Sequence, residues 1–200
     1  MPNPPKQLRS ITTEQNMLDA AEELLRNGDA QNVTVENVVR DAGATVGSFY
    51  ARFGSVEGLF EALHTRYLTS LYESKIIEAL NQSMEQPDLK SGLRHGCKIL
   101  LEFAYEKRKL FAYFITHPSD DAVLIRRIGV ESMHNNLKAH RSEVVHKDLK
   151  RASENTTRLI YQAVLGVVFL EPSEFIGRKT SLSSVIDTTT QMAYAYLTTE

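Results

Sequence analysis

The residues from Thr34 to Ser55, TVENVVRDAGATVGSFYARFGS, hold two short segments joined by Asp41-Ala42-Gly43-Ala44-Thr45. Gly43 suits the left-handed backbone that a tight turn between two helices requires. Beyond the turn, Thr45, Gly47, Ser48 and Arg52 are small or polar, whereas Phe49 and Phe53 are large and apolar at four-residue spacing. That division suits a helix whose N-terminal turns meet the base edges of DNA while its other side is anchored in a core. Gly47 would let the backbone approach DNA closely, and the Tyr50 hydroxyl could reach a phosphate. Residues 34–53 are therefore read as a helix-turn-helix.

A second set of residues could do different chemistry. Glu61/His64, Glu131/His134 and Glu143/His146 each have the Glu-x-x-His spacing that places both side chains on one helix face. Two such pairs with two further Glu build a di-iron carboxylate site in ferritin-like bundles. A helical metal-carboxylate enzyme is thus the alternative reading. Against it, Glu131/His134 and Glu143/His146 are expected on one helix and too far apart to enclose one metal pair, so surface pairing is the simpler account. Cys97, beside Ile99 and Leu100, reads as a buried small hydrophobe, and Lys107-Arg108-Lys109 as a solvated corner. No Ser/His/Asp order, phosphate-cradling loop or paired-acid motif stands out. Neither catalysis, a metal site nor a cofactor is expected.

The elements that must position these residues read as helical throughout. Apolar residues recur at three- and four-residue spacing, and no hairpin signal or period-two alternation appears. A first helix is expected from a capping box at Thr12-Thr13-Glu14-Gln15, burying Met17, Leu18, Ala21, Leu24 and Leu25. Thr34 should cap the second helix and Thr45 the third. A long fourth helix is expected from Ser55 to about Gln82, with Gly58 in its first turn costing roughly 1 kcal/mol relative to Ala. Further helices are expected over about 89–107 and 110–115, the latter closed by His117-Pro118. Another is expected from Ser119 to about Lys150, then two strongly apolar ones over 153–170 and 180–197. The fold class is all-α, with about nine helices: a three-helix head at the N-terminus and a helical C-terminal domain.

The stretch from Thr34 to Ser55, with its Gly43, Gly47, Tyr50 and Phe53 in that order, resembles the DNA-binding module of the TetR family of bacterial transcriptional regulators. Met17 to Leu25 resembles that family's first helix, and Val56-Glu57-Gly58-Leu59-Phe60 its fourth. The resemblance covers about residues 10–70, which would form the DNA-binding domain, with 71–200 forming an effector-binding and dimerisation domain. It implies a homodimer whose paired recognition helices enter successive major grooves of a palindromic operator. The most direct form of that function is a repressor released by a small, largely apolar effector. Carried over, Thr34 caps and meets a phosphate; Thr45, Val46, Gly47 and Ser48 face the groove; Tyr50 holds the backbone; Arg52 sits at the groove edge; Ser55 joins the DNA-binding set. Lys6 and Arg9 could form a basic arm. For the C-terminal domain, Phe103, Phe111 and Phe114, with His117 close behind, are the expected effector-binding residues. Ala163, Gly166, Val167, Met192 and Tyr196 are the expected dimer interface.

The chain departs from the family where lysines are common: Val46 stands before Gly47, and Val56 follows Ser55. Residues 1–66 carry six basic and nine acidic side chains, so phosphate neutralisation should be modest. A TetR-like protein-interaction module with weak DNA binding is therefore a further alternative. The whole chain of 200 residues has a net charge of −2, 42% hydrophobic and 24% charged residues. Those values suit a soluble globular protein and exclude general disorder. One cysteine precludes an internal disulfide and suits a reducing compartment. The longest nearly apolar run, Leu159 to Leu170, is well short of the roughly 20 residues that span a bilayer. No signal peptide is recognisable, and a cytoplasmic location is expected.

Overall fold

The structure, a computed structural model, describes residues 6–28, 30–73, 75–116, 120–174 and 177–199. Among them stand ten α-helices and no strand, an all-helical fold as expected. The chain divides into two compact units, Met1–Ser70 and Leu71–Glu200.

The first unit is built on α1 (Lys6–Asn27), α2 (Val35–Asp41), α3 (Val46–Phe53) and most of α4 (Val56–Glu73). Contrary to the capping box read at Thr12, α1 starts at Lys6 and runs straight through it. Lys6, Gln7, Leu8 and Arg9 are good helix formers, and they carry the helix upstream of the capping signal. Its apolar stripe is buried at Met17, Leu18, Ala21 and Leu25, with Leu24 only half-buried. These side chains share one core with Val33, Val38, Phe49, Leu59 and Leu63. Arg66 on α4 reaches back to α1, with Nη2 2.5 Å from Asp19 Oδ1 and Nε 3.7 Å from Glu22 Oε1.

In the second unit, α5 (Lys75–Asn81) and a 3-10 turn at Gln82–Glu85 precede α6 (Leu89–Glu106). The single long helix expected from Ser55 to Gln82 is therefore described as two, with residue 74 between them outside the described set. Asp88 caps α6 by accepting from Ser91 N at 2.7 Å. That hydrogen bond is the main reason its carboxyl lies below the ordinary range. Leu89, Leu93, Cys97, Leu101 and Ala104 form the buried stripe of α6, against which α9 (Leu149–Phe169) and α10 (Leu182–Thr198) pack. Burial pushes the Cys97 thiol up to about 11, in keeping with its reading as a small hydrophobe. The short α7 (Arg108–Thr116) lies against α9 and α6, and α8 (Asp120–Ala139) packs on α9. His117, Pro118 and Ser119, expected to close one helix and cap the next, lie outside the described residues.

The helix expected to reach Lys150 stops at Ala139. His140 leaves the helical region, a 3-10 turn spans Arg141–Glu143, and Asp148 caps α9 by accepting from Arg151 N at 3.0 Å. The intervening strip is held by the far end of α10. Val145 N donates to Leu197 O at 3.0 Å, and the His146 ring nitrogen lies 2.7 Å from Tyr196 O, with the two rings tilted by 31° and their centroids 4.5 Å apart. These long-range contacts outweigh local helix propensity, and they bring the start of α9 forward from the expected Ser153 to Leu149.

Gly58 also departs from expectation. A Cβ at this position would sit 1.9 Å from the carbonyl oxygen of Phe53. Glycine here is what permits the end of α3 to approach the start of α4, so its low helix propensity is outweighed by sterics. Gly58→Ala, which propensity alone would make stabilising by about 1 kcal/mol, is expected instead to lower the thermal unfolding midpoint. An unchanged or raised midpoint in a calorimetric scan would show that the two helices can separate without cost.

Candidate nucleic-acid interface

The head is assembled from local caps. A 3-10 turn at Ala30–Asn32 leads into Thr34, whose Oγ1 accepts from Asn37 N at 3.2 Å. The Asn37 side chain in turn donates to Asn32 O at 2.9 Å, tying the turn to α2. Helix α2 buries Val38 and Val39 and ends with Ala44 N donating to Val39 O at 2.8 Å and Gly43 N to Arg40 O at 3.3 Å. This pair of bonds needs a residue with positive φ after the cap, and Gly43 supplies it at +61°.

Thr45 then opens α3 with a reciprocal cap. Its Oγ1 accepts from Ser48 N at 3.1 Å, and its own N–H donates to Ser48 Oγ at 3.1 Å. The Ser48 hydroxyl also donates to Thr45 O at 2.7 Å. Phe49 is fully buried, 5.3 Å from the Phe53 ring and edge-on to Tyr50. Ser55 restarts the chain by accepting from Gly58 N at 3.1 Å. The Glu57 carboxyl lies below its ordinary range through its own backbone N–H and, second, the Ser55 hydroxyl.

The exposed face of α3 differs from the one read in the sequence. Val46 is 47% and Tyr50 53% exposed, and Gly47 and Ala51 lie open beside them. Thr45 and Ser48 spend their hydroxyls on the cap, and part-buried Arg52 donates from Nη1 to Ser48 O at 2.9 Å. Of the eight residues expected to meet DNA, Val46, Gly47 and Tyr50 project; Thr45 is exposed with its Oγ1 held by the cap, and Thr34, Ser48, Arg52 and Ser55 are part-buried and engaged within the head. A Cβ at Gly47 would meet nothing within 4 Å. Nothing in the packing around that position calls for a glycine.

The described arginine side chains of this unit are each engaged by an acceptor. Arg26 pairs with Glu23; Arg40 holds Asp41 at 2.8 Å and Asn37 at 2.9 Å; Arg66 holds Asp19 and Glu22. Arg26, Arg40 and Arg66 thus each face a carboxylate of the head itself, while Arg52 is held on a backbone carbonyl. The side chains of Lys6 and Arg9 lie outside the described residues.

In the second unit, Phe103 and Phe111 meet edge to face at 5.8 Å, and Phe114 lies 6.0 Å from Tyr113. All four are half-buried, and Phe111 packs on the core between α6 and α9. His117, the remaining expected effector residue, is not among the described residues. A cavity of about 730 Å³ opens between α8 and α9, lined by Arg127, Val130, Glu131, His134, Lys150, Ser153 and Glu154. None of the expected aromatic residues borders it. His134 Nδ1 is 3.3 Å from the Oγ of buried Ser153. Glu143 and His146 fall outside the α-helices altogether, because Glu143 Oε1 accepts from Leu89 N at 2.9 Å and His146 is held at Tyr196. Among the described residues no three His, Cys, Asp or Glu side chains gather as metal ligands would.

The expected dimer residues separate likewise. Val167 is fully buried inside the protomer, packed with Cys97, Leu101 and Ile186, so it cannot face a partner. Ala163 and Gly166 are half-buried, Tyr196 accepts from Asn155 Nδ2 at 2.8 Å, and Met192 is 53% exposed. Around Met192, α10 exposes Ser184, Thr188, Gln191 and Ala195. Its one charged residue, Asp187, is taken by Arg94 Nε of α6 at 3.0 Å.

Gly47→Ala tests the account of α3. Alanine fits the available space and has the better helix propensity, so the midpoint of thermal unfolding should rise by the equivalent of about 0.5 kcal/mol. A fall would mean that the protein's own packing requires the glycine.

Comparison with known proteins agrees with this geometry. Residues 17–63 match the family model described as bacterial regulatory proteins, tetR family. The fold is that of solved TetR-family regulators. A regulator named PfmR from Thermus thermophilus superposes with a TM-score of 0.64 at 15% identity, over 89% of this chain and 96% of that one. A putative TetR-family regulator from Mesorhizobium loti gives 0.63 at 16% identity, over 94% and 97%. NalD of Pseudomonas aeruginosa, described as the secondary repressor of the MexAB-OprM multidrug efflux pump, gives 0.62 at 17% identity, over 96% and 98%. No curated relative matches the chain. Among the described residues, no helix is long and apolar enough to cross a membrane.

Proposed function

We propose that this chain, which carries the TetR-family DNA-binding module on the TetR-family fold, is a homodimeric regulator of transcription. In this reading α3 enters the major groove of a palindromic operator, and a small effector bound by the second unit shifts the population of protomers able to bind it. Repression relieved by the effector is the favoured mode, in line with NalD, a repressor of similar fold. The observation that carries the reading is a capped, eight-residue helix held by buried Phe49, with Val46, Gly47, Tyr50 and Ala51 open on its outer face. A glycine that the protein's own packing does not need is explained if DNA backbone or bases come close at that point. The half-buried aromatics around Phe103 and Phe111 support an effector with an apolar or aromatic part. The dimer reading rests on α9 and α10, where the uncharged outer face of α10 suits self-association better than an ordinary solvated helix surface.

Selection of bound fragments from genomic DNA by the purified full-length protein tests the reading. A shared palindromic site should emerge, and Gly47→Ala should bind it at least tenfold more weakly despite its greater stability. Recovery of no enriched sequence would overturn the reading. Tyr50→Phe should weaken binding by about 1 kcal/mol, equally across variants of the site, because a phosphate contact carries no base information. A change of base preference instead would move Tyr50 from the backbone to the bases.

Met192→Arg is expected to convert dimer to monomer in sedimentation while helix content stays at the parent level. An unchanged dimer would place the interface elsewhere. Val167→Asp would be uninformative here, since it buries a charge in the core of the protomer.

A further inference from the structure

The outer face of α3 is poor in groups that can hydrogen-bond a base. The Thr45 and Ser48 hydroxyls satisfy each other's backbone, and the Arg52 guanidinium is held by the Ser48 carbonyl. Besides Thr45, whose Oγ1 is held by the cap, what projects is the isopropyl group of Val46, the bare backbone of Gly47, the Tyr50 ring with its hydroxyl, and the methyl group of Ala51. In the major groove the base pairs are distinguished by donors, acceptors and, at thymine, an apolar 5-methyl group. A side chain with no hydrogen-bonding atom can favour only that last feature. Val46 is the first residue of α3, and the N-terminal residues of a recognition helix are the ones that meet base edges. Its exposure serves no packing within the head, whose core is already filled from this helix by Phe49.

We propose that Val46 is a specificity-determining residue that reads a thymine 5-methyl group in each half of the operator, so that this head selects its site by apolar contact. The proposal rests on α3 being the recognition helix. It explains why a valine can stand where a cation would add only sequence-independent affinity.

The test uses the full-length protein and the site recovered from genomic fragments, resynthesised with each thymine replaced in turn by deoxyuridine. That exchange deletes the methyl group and leaves every hydrogen-bonding atom in place. At one or more thymines of each half-site, affinity should fall about fourfold, the equivalent of one methyl returned to water. In Val46→Ala the same exchange should have no effect, and affinity for the unmodified site should already be lower by a similar factor. Cytosine at that position should bind weakly and 5-methylcytosine should recover part of the loss. Val46 is exposed, so Val46→Ala should unfold at the parental temperature. If deoxyuridine has no effect at any thymine while the site still binds, or if the loss is the same in Val46→Ala, the proposal is overturned and the DNA-binding reading stands. If no site is recovered at all, both fall.

Discussion

An eight-residue helix has too few backbone hydrogen bonds to persist in water by itself. That α3 exists depends on Phe49, the one side chain it buries completely. A phenylalanine taken fully out of water contributes on the order of 1.5–3 kcal/mol. The surrounding features serve that anchor. Gly43 lets α2 stop and turn, the Thr45–Ser48 cap satisfies the first amides, and Gly58 lets α4 start close beneath the end of α3. With one side fixed in this way, the opposite side is free to be chosen by a partner, not by the core.

That separation explains what could be read from the amino-acid sequence. Thr34, Gly43 and Thr45 act through neighbours within four or five residues, so their roles follow from spacing, and the burial of Phe49 and the stripes of α1 and α6 follow from apolar periodicity. Ser48 and Arg52 look like groove-facing residues by type, yet the Ser48 hydroxyl and the Arg52 Nη1 bond backbone about one turn away, which residue type alone does not reveal. Gly58 looks like a weakness by propensity and is a necessity by contact with Phe53. The break after Ala139 depends on Val145 and His146 meeting Leu197 and Tyr196, some fifty residues later. The Asp148 cap, three residues before Arg151 N, is the local sign of it. Val167 lies inside the protomer and not at an outer face because α9 from Leu159 to Phe169 is apolar but for Gln162, and periodicity is least informative there.

In the second unit, charge is arranged to leave one surface bare. Asp187 is held by Arg94, and Glu171 receives both Arg108 at 2.5 Å and the Tyr105 hydroxyl at 2.8 Å. Desolvation lowers and these partners raise the Arg108 guanidinium pKa, and the net direction is up. These pairs are part-exposed and add little to stability individually. Their value lies in position, since they draw Asp187 toward α6 and leave Ser184, Thr188, Gln191, Met192 and Ala195 as the outer face of α10.

The internally paired arginines of the head also bear on how such a protein would search a genome. Sequence-independent attraction to phosphate is what lets a regulator slide along DNA, and it is also what strands most of its copies on the millions of wrong sites. A head with six basic and nine acidic side chains over residues 1–66, its Arg26, Arg40 and Arg66 each beside a carboxylate, would offer phosphate little of that attraction. It would reach its target more by collision through solution than by one-dimensional travel. Fewer molecules would be held idle on bulk chromosome, so occupancy of the true site would track the number of copies in the cell closely.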